Sequence, residues 1–274
     1  MKRVRLNASN YHSLEMNNRY WSASLLKSML DCPARTMAEL NGEYVRPQSA
    51  ALLIGSYVDA AFDKKGSLDA FKAEHPEIFK KDGSLKAEYV KADAMIERAK
   101  SDPVFMEFMR GRKQVIKTGT LFGVPFKCKL DVYRKDRIVD LKTVKDFKPI
   151  YKPGEGKVNF AEAWHWTTQM AIYQAIEGHK LPCYLACITK EDPPDIAVIE
   201  IPQSVMDAEL EWLEGLIEEF KAMKDGVIEA PRCGGCAYCR KTRKLVEPLT
   251  LGYFDEIGTD IEEQYAFYKT NNAT

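Results

Sequence analysis

Two carboxylates and a lysine, Asp131, Asp140 and Lys142, lie close together in the sequence. The segments 127–134 and 137–143 alternate apolar and polar residues and are rich in β-formers, which predicts two strands joined by a tight polar turn. In such a hairpin Asp131 faces Asp140 with Cβ atoms about 5 Å apart, and the carboxylates repel unless a cation or a shared proton lies between them. Lys142 projects from the same face as Asp140, where its ammonium can meet a phosphate oxygen. The pattern predicts a metal-dependent phosphodiesterase site, and the alternative is a set of solvent-facing charges on an amphipathic hairpin.

Two predicted helices carry further polar residues at helical spacing. Gln169 and Tyr173 are four residues apart in the predicted helix 159–178, so they share one face. Gly55 and Asp59 have the same spacing in an apolar helix nearer the N terminus. In each case the alternative is structural, because an amide and a phenol can lie at the polar edge of a core helix and a carboxylate can lie on a helix surface.

In order and spacing these motifs resemble the PD-(D/E)xK nuclease superfamily. Within it, the chain is most similar to the RecB-like branch that includes the RecE-type exonucleases (exonuclease VIII) of phages and prophages. The segment YWSASLLKSMLDCPARTMAEL near the N terminus is similar to the Cys-Pro helix that opens many RecB-like nucleases. The resemblance spans residues 10–245.

The resemblance implies a role for each of these residues. Mg²⁺ or Mn²⁺ would be bound by three carboxylates, those of Asp59, Asp131 and Asp140. Lys142 would stabilise developing negative charge or orient the attacking water. Gln169 and Tyr173 would contact the DNA backbone or position the lysine.

Two positions depart from the branch. It usually has histidine where this chain has Asp59, and glycine where this chain has Cys128. Because aspartate binds a hard cation as well as histidine does, the first change is compatible with metal binding.

The activity implied is that of a DNA exonuclease acting on double-stranded ends and leaving a 3′ overhang for a single-strand annealing partner. A second interpretation is a structure-specific endonuclease, or a subunit of a larger repair complex, with the same active site. A third is a metal-stapled DNA-binding protein whose nuclease core is inactive because Asp59 replaces histidine.

Three cysteines near the C terminus, Cys233, Cys236 and Cys239, follow a C-x2-C-x2-C spacing in a glycine-containing loop. Thiolates so close together in the sequence are typical of a metal site, for which Cys32 is the leading candidate as fourth ligand. RecB-like relatives hold a [4Fe–4S] cluster with one early and three late cysteines, which implies a cluster here, although their last spacing is usually wider. Zinc is the rival metal, and a reduced trio without metal is the third possibility.

Bulk charge gives no argument for nucleic-acid binding, because the 274 residues include 40 basic and 40 acidic ones. Local charge does. Basic residues follow the second catalytic strand and the late cysteines, and the predicted DNA contacts are Lys145, Lys148, Arg240, Lys241, Arg243 and Lys244. The alternative for both groups is a solvated surface.

The order of the predicted elements indicates an α/β fold with a restriction-endonuclease-like αβββαβ core, a central mixed sheet flanked by helices, and an N-terminal helical elaboration. Predicted helices cover 24–41, 50–64, 86–101, 103–110, 159–178 and 204–224. Predicted strands cover 113–117, 121–126 leading into 127–134, 137–143, 183–190 and 195–201.

The length and a hydrophobic content of 45% suit one elaborated domain. We expect a single nuclease domain over 1–246, with the helical elaboration at 20–112, the catalytic core at 113–225 and the cysteine loop at 232–244. Residues 247–274 are an expected acidic tail or subunit contact. The sequence has no apolar run of transmembrane length and no secretory signal, so we expect a cytoplasmic protein of a bacterium or a phage-infected host. DNA and an annealing protein are the expected partners, and a homo-oligomer is left open.

Overall fold

A central sheet of five strands organises the part of the chain that the computed structural model describes, which is residues 4–152, 156–245, 248 and 251. The strand order is β1-β2-β3-β6-β7, and β4 and β5 form a separate two-stranded hairpin. The strands are β1 Arg112–Leu121, β2 Val124–Tyr133, β3 Ile138–Val144, β4 Ile150–Lys152, β5 Gly156–Val158, β6 Cys183–Thr189 and β7 Ile196–Ile201.

The helices of the described residues lie before, between and after these strands. They are α1 Leu14–Arg19, α2 Ala23–Asp31, α3 Pro33–Leu40, α4 Ala50–Phe62, α5 Ser67–Glu74, α6 Ala87–Lys100, α7 Pro103–Phe108, α8 Phe160–Ala163, α9 Trp166–Glu177, α10 Gln203–Lys224 and α11 Ala237–Lys241. In these ranges no helix is long and apolar enough to cross a membrane.

Neighbouring strands run antiparallel except for β3 and β6, which are parallel. A parallel pair needs a crossover connection, and α8 and α9 lie in the segment that supplies it. The order of α4, β1, β2, β3, α9 and β6 is the predicted αβββαβ core, so the predicted fold class is confirmed.

The two faces of the sheet are covered by different helices. Leu130 and Ile138 point to the face that packs against α2, α9 and α10. Val132 and Val139 belong to the cluster formed with α4, α6 and α7. On β3 the successive residues Ile138 and Val139 point to opposite faces, as strand geometry requires. On β2 the residues Leu130 and Val132 are two apart and still belong to different clusters, so the alternation is interrupted at Asp131, which neither ladder pairs. Both strands that carry the predicted site are buried on both sides.

The predicted register of the β2–β3 hairpin agrees with the pairs Val132↔Val139 and Tyr133↔Ile138. Asp131 and Asp140 lie one step further along the two strands, where the β2–β3 ladder has ended, so their predicted direct pairing is not part of it. At that step the backbone amide of Leu141 donates to Asp131 Oδ2 at 3.0 Å. The side chain of Asp131 therefore accepts the hydrogen bond of a β3 backbone amide.

The predicted single helix 24–41 is wrong, because it is divided into α2 and α3. Cys32 has extended backbone (φ −168°, ψ 98°) between them. The cause is Pro33, which disfavours helical geometry at the residue before it but is well suited to the first turn of a new helix. The break turns the Cys32 side chain away from the helix surface and makes it available to a distant part of the chain.

Two further boundaries differ from prediction. The helix 159–178 is interrupted at His165, whose φ of 52° is left-handed, and α9 starts only after it. Leu121 belongs to β1 and not to the strand 121–126, because β1 turns into β2 through Phe122 and Gly123, both with positive φ. Two residues of that conformation form the tight hairpin turn that matches the twist of the strands.

Candidate active site

Asp131 on β2 and Asp140 on β3 lie at the centre of the sheet, on neighbouring strands. Asp140 is 2% exposed. Asp131 accepts hydrogen bonds from the Leu141 amide and, at 3.3 Å, from Gln114 Nε2. Burial raises the pKa of Asp131 well above its usual value, and the nearby charges of Asp140 and Asp59 raise it further. Two carboxylates held together in this way destabilise each other in the absence of a cation.

Asp59 is placed beside this pair by α4, which packs against β3. A Cβ added to Gly55, one turn earlier, would meet Thr143 Oγ1 at 3.6 Å, so the helix backbone approaches the strand closely there. The pKa of Asp59 is raised to about 6, first by burial and then by the charge of Asp140. The structure thus brings the three predicted metal-binding carboxylates within electrostatic reach of one another.

Lys142 supplies the positive charge that faces these carboxylates. Its Nζ contacts Asp140 Oδ2, and its side chain is 17% exposed. Burial lowers the pKa of Lys142, but the charges of Asp140 and Asp131 outweigh that effect, so the pKa lies above its usual value. The ammonium is therefore charged at neutral pH.

Gln169 on α9 connects the carboxylates to the cations. Its Nε2 donates to Asp140 Oδ1 at 2.9 Å and to Tyr173 Oη at 3.0 Å. Its Oε1 accepts from Lys27 Nζ at 2.9 Å and lies 3.5 Å from Lys142 Nζ. The predicted pair Gln169 and Tyr173 thus lies directly against the predicted catalytic residues, and the amide orients groups of opposite charge on its two sides.

Lys27 is a residue of this site that sequence reasoning missed. It lies on α2, and its pKa is lowered to about 8, first by burial and then by the charge of Lys142. No local pattern marks it, because a lysine on an amphipathic helix is commonly a surface residue. Only the packing of α2 against α9 places its ammonium beside Gln169.

Gln114 is a second missed residue. It lies opposite Asp131 in the β1–β2 ladder, between the pairs Lys113↔Val132 and Val115↔Leu130. Its φ is 50°, an uncommon value for a residue with a side chain. Placing the β1–β2 turn correctly in the sequence would have predicted this opposition.

A second cluster is formed by Cys32, Cys233, Cys236 and Cys239, whose Sγ atoms all lie within 4.8 Å of one another. Cys32 reaches it from the break between α2 and α3, and the three others come from the loop that leads into α11. The predicted fourth partner is therefore placed with the predicted trio. By contrast Cys183, like Cys187, is a buried residue of β6 outside the cluster.

The basic residues predicted to contact DNA lie in two settings. Lys145 and Lys148 are exposed in the segment after β3. Arg240 and Arg243 donate to the carbonyls of Gly235 and Gly234, at 2.7 and 2.8 Å, so their guanidinium groups help to fold the cysteine loop. Lys241 and Lys244 are exposed beside them.

A cavity of about 790 Å³ is connected to the site through Lys27, which lines it and donates to Gln169. Its lining comes from α2, α3, β4 and the start of α9, which contributes Trp166. The charged residues of the lining are the basic Lys27, Arg46 and Lys152 and the acidic Asp31 and Glu39, and Arg46 is paired with Glu39 at 2.9 Å. Lys142 Nζ lies 5.5 Å from the centre of the Trp166 ring. Trp164, also in the wall, is 58% exposed.

This sheet, with acidic residues on two adjacent strands and a lysine two positions after the second, defines a nuclease of the PD-(D/E)xK class. Residues 22–242 match the family model described as a PDDEXK-like domain of unknown function (DUF3799). The chain belongs to that family.

Among solved structures, the chain is similar to one of a candidate exonuclease from Eubacterium rectale. The TM-score is 0.87 and the sequence identity 37%, over 92% of this chain and 98% of the other. A search of the curated proteins finds no match.

Proposed function

We propose that this protein is a Mg²⁺-dependent DNA exonuclease that hydrolyses phosphodiester bonds at double-stranded ends. The observation that carries the proposal is the convergence of Asp59, Asp131 and Asp140 with the ammonium of Lys142. The name of the Eubacterium rectale structure supports an exonuclease over an endonuclease. Mn²⁺ is the alternative ion for the same oxygen ligands.

The carboxylates fit a hard divalent cation, because all three are oxygen donors whose mutual repulsion a cation would relieve. When bound, Mg²⁺ lowers the pKa of a coordinated water and neutralises charge on the scissile phosphate. Asp131 and Asp140 are the central ligands, and Asp59 approaches from α4.

The surrounding side chains keep the site charged and oriented. Lys142 is held in its ammonium form beside Asp140, where it can stabilise the negative charge that develops on the phosphate or orient the attacking water. Gln169 fixes Asp140 through one end of its amide and Lys27 through the other. Tyr173 holds the amide in that orientation.

The cavity next to the site supports DNA as the substrate. Lys27 and Lys152 in its wall suit a phosphate backbone, although Arg46 is paired with Glu39 there, and the exposed Trp164 and the nearby Trp166 offer aromatic faces for bases. The exposed Lys145 and Lys148 extend the positive charge along the segment after β3. With DNA as its substrate, the protein acts in the cytoplasm of a bacterium or a phage-infected host, where a single-strand annealing protein would take up the overhang.

The test uses purified wild type and Asp140→Ala with end-labelled linear duplex DNA and a covalently closed circle, each with Mg²⁺ and with EDTA. We expect Mg²⁺-dependent degradation of the linear DNA alone, absent in the variant. Cutting of the circle would indicate the structure-specific endonuclease instead. A wild type that binds DNA and cuts neither substrate would contradict the enzyme and favour the DNA-binding interpretation.

The four cysteines are a second metal site in this proposal. An iron–sulfur cluster and zinc are the two candidates, and neither takes part in the hydrolysis.

A further inference from the structure

The sulfur atoms of the cysteine cluster lie close together. Sγ of Cys32 is 3.6 Å from that of Cys239 and 3.8 Å from that of Cys236, and Cys233 Sγ is 3.9 Å from Cys239 Sγ. Each candidate metal requires a particular distance between the sulfur atoms that bind it.

A [4Fe–4S] cluster does not fit them. Its four thiolates bind four different irons at the corners of a cube and point away from its centre, so their sulfurs are about 6 Å apart. Here all four lie within 4.8 Å. A cluster would force Cys32 and the loop apart at a place where the backbone is already joined, because the Ala34 amide donates to the Pro231 carbonyl at 3.0 Å.

A single tetrahedral ion does fit. Zinc binds thiolate sulfur at about 2.3 Å, which sets the sulfur atoms of a regular tetrahedron about 3.8 Å apart. We propose that Cys32, Cys233, Cys236 and Cys239 bind one structural zinc ion, in place of the iron–sulfur cluster that the resemblance to RecB-like nucleases implies. A single iron would have the same shape, but the affinity order of divalent metals places zinc above Fe²⁺.

The loop contains hydrogen-bond donors suited to thiolates. The amide of Cys236 points to Cys233 Sγ and the amide of Cys239 to Cys236 Sγ, each at 3.4 Å. Each donor comes three residues after its acceptor, so both Cys-x-x-Cys turns are already folded around their sulfur atoms. Such contacts stabilise a thiolate and orient it towards the metal.

The charge of the loop is also complementary to such a site. Four thiolates and one Zn²⁺ sum to a charge of −2. The segment 232–244 contains five basic residues and no acidic one. Arg232 donates to the Cys239 carbonyl at 3.1 Å, which holds one of these charges against the cluster.

The proposed zinc site is also connected to the active site through α2. The zinc ion would bind Cys32, the residue that follows the last turn of α2, and α2 carries Lys27, whose ammonium donates to Gln169. The three late cysteines are therefore tied to the helix that forms one wall of the catalytic centre. The inference concerns the fold and holds whether or not the carboxylate site is active.

The test measures metal in wild-type protein purified without oxygen from cells supplied with both iron and zinc. We expect one zinc per chain, zinc-edge X-ray absorption with four sulfur ligands at about 2.3 Å, no acid-labile sulfide and no broad absorption at about 400 nm. Iron with sulfide would overturn the proposal in favour of the cluster. A single iron, or a folded protein without metal, would overturn it as well.

A pair of variants separates binding at these cysteines from adventitious zinc. In Cys32→Ser, zinc retained after dialysis against a chelator should fall at least about tenfold. Cys183→Ala removes a buried cysteine outside the cluster and should retain zinc as the wild type does. Equal retention in both variants would exclude Cys32 from the ligand set, and if Cys32→Ser fails to fold, the wild-type spectrum still decides.

Discussion

The carboxylate site and the cysteine site differ in how their residues are spaced along the chain. Asp131 and Asp140 are nine residues apart, on the two strands of a single hairpin whose paired residues end one step before them. Cys32 and Cys239 are 207 residues apart, and only the folding of the C-terminal loop against the break between α2 and α3 joins them. The acidic pair of the first site comes from one hairpin, whereas the second site joins the two ends of the domain.

The two sites also differ in what holds them together. Burial and the charge of Asp140 raise the pKa values of Asp131 and Asp59, so the folded protein bears a repulsion that a bound cation would relieve. The thiols have backbone amides of their own loop as donors. In the two proposals, the ion at the sheet is exchangeable and takes part in chemistry, and the ion at the cysteines is permanent and structural.

The largest effect is expected for Lys142→Ala. Loss of the ammonium beside Asp140 should lower kcat by about 10²–10³-fold, as for other groups that stabilise transition-state charge. DNA affinity and zinc content should be unchanged. Single-turnover cleavage of end-labelled duplex, binding by fluorescence anisotropy and elemental analysis measure the three quantities.

Lys135→Ala is the matched control, because Lys135 is exposed in the turn of the same hairpin. It should cut DNA at the wild-type rate. If both variants cut equally well, Lys142 has no catalytic role.

Removal of zinc should affect stability more than removal of Mg²⁺ does. Binding energy at a structural zinc site is folding energy, so Tm should fall by about 10 °C when zinc is extracted, at 2–4 °C per kcal/mol for a domain of this size. Removing Mg²⁺ alone by dialysis should change Tm by about 2 °C. Differential scanning calorimetry compares them, and equal shifts would contradict the distinction between a structural and an exchangeable site.

Lys27→Ala tests whether α2 contributes to catalysis. Loss of a charged hydrogen bond should lower kcat/KM by about tenfold. The pKa of Lys27 is lowered to about 8, so the ammonium is present below that pH and lost above it. Wild-type activity should therefore decline above pH about 8, and Lys27→Ala should lack that component of the profile.

Lys91→Ala, an exposed lysine of α6, serves as the control for lost surface charge. If the activity of Lys27→Ala declines at high pH as the wild-type activity does, the decline is caused by the titration of another group.

The smallest effect is expected for Asp131→Asn in metal-free protein. The raised pKa of Asp131 means that the folded state binds its proton more tightly than the unfolded state does. The stabilisation this gives is present below the unfolded pKa of about 3.9 and is lost as pH rises through the folded pKa. At pH 7 the variant should therefore melt about 2 °C above the metal-free wild type.

That gain should shrink as the pH is lowered and the wild-type carboxyl takes up its proton. Asp136→Asn is the control, because the pKa of Asp136 is lowered and not raised. Arg134 hydrogen bonds more than offset the slight burial of Asp136 and lower its pKa, so replacement should not raise Tm. A lower Tm for Asp131→Asn at pH 7 would show that the Leu141 hydrogen bond outweighs the repulsion.

Local patterns predicted the strands and the residues on them, because alternation and turn chemistry act over a few residues. The hairpin register, the buried faces of β2 and β3, and the pair Gln169 and Tyr173 on one helix face all follow from such patterns. The helix boundary at Cys32 was missed although Pro33 is visible in the sequence, because the apolar periodicity continues across it.

Other features have no local signal. Lys27 is an ordinary helix lysine until α2 packs against α9. Gln114 meets Asp131 only through the β1–β2 register, which the predicted strands 113–117 and 121–126 did not give.

The sequence by itself determined the αβββαβ order, the acidic pair with its lysine, and the three late cysteines, since these depend on residue type and short spacing. The tertiary structure decided which other residues meet them and at what distance. Burial and the approach of charges from separate elements set the pKa values of Asp59 and Lys27. The separations of the cysteine sulfurs depend on where two distant segments dock, and that docking distinguishes a single ion from a cluster.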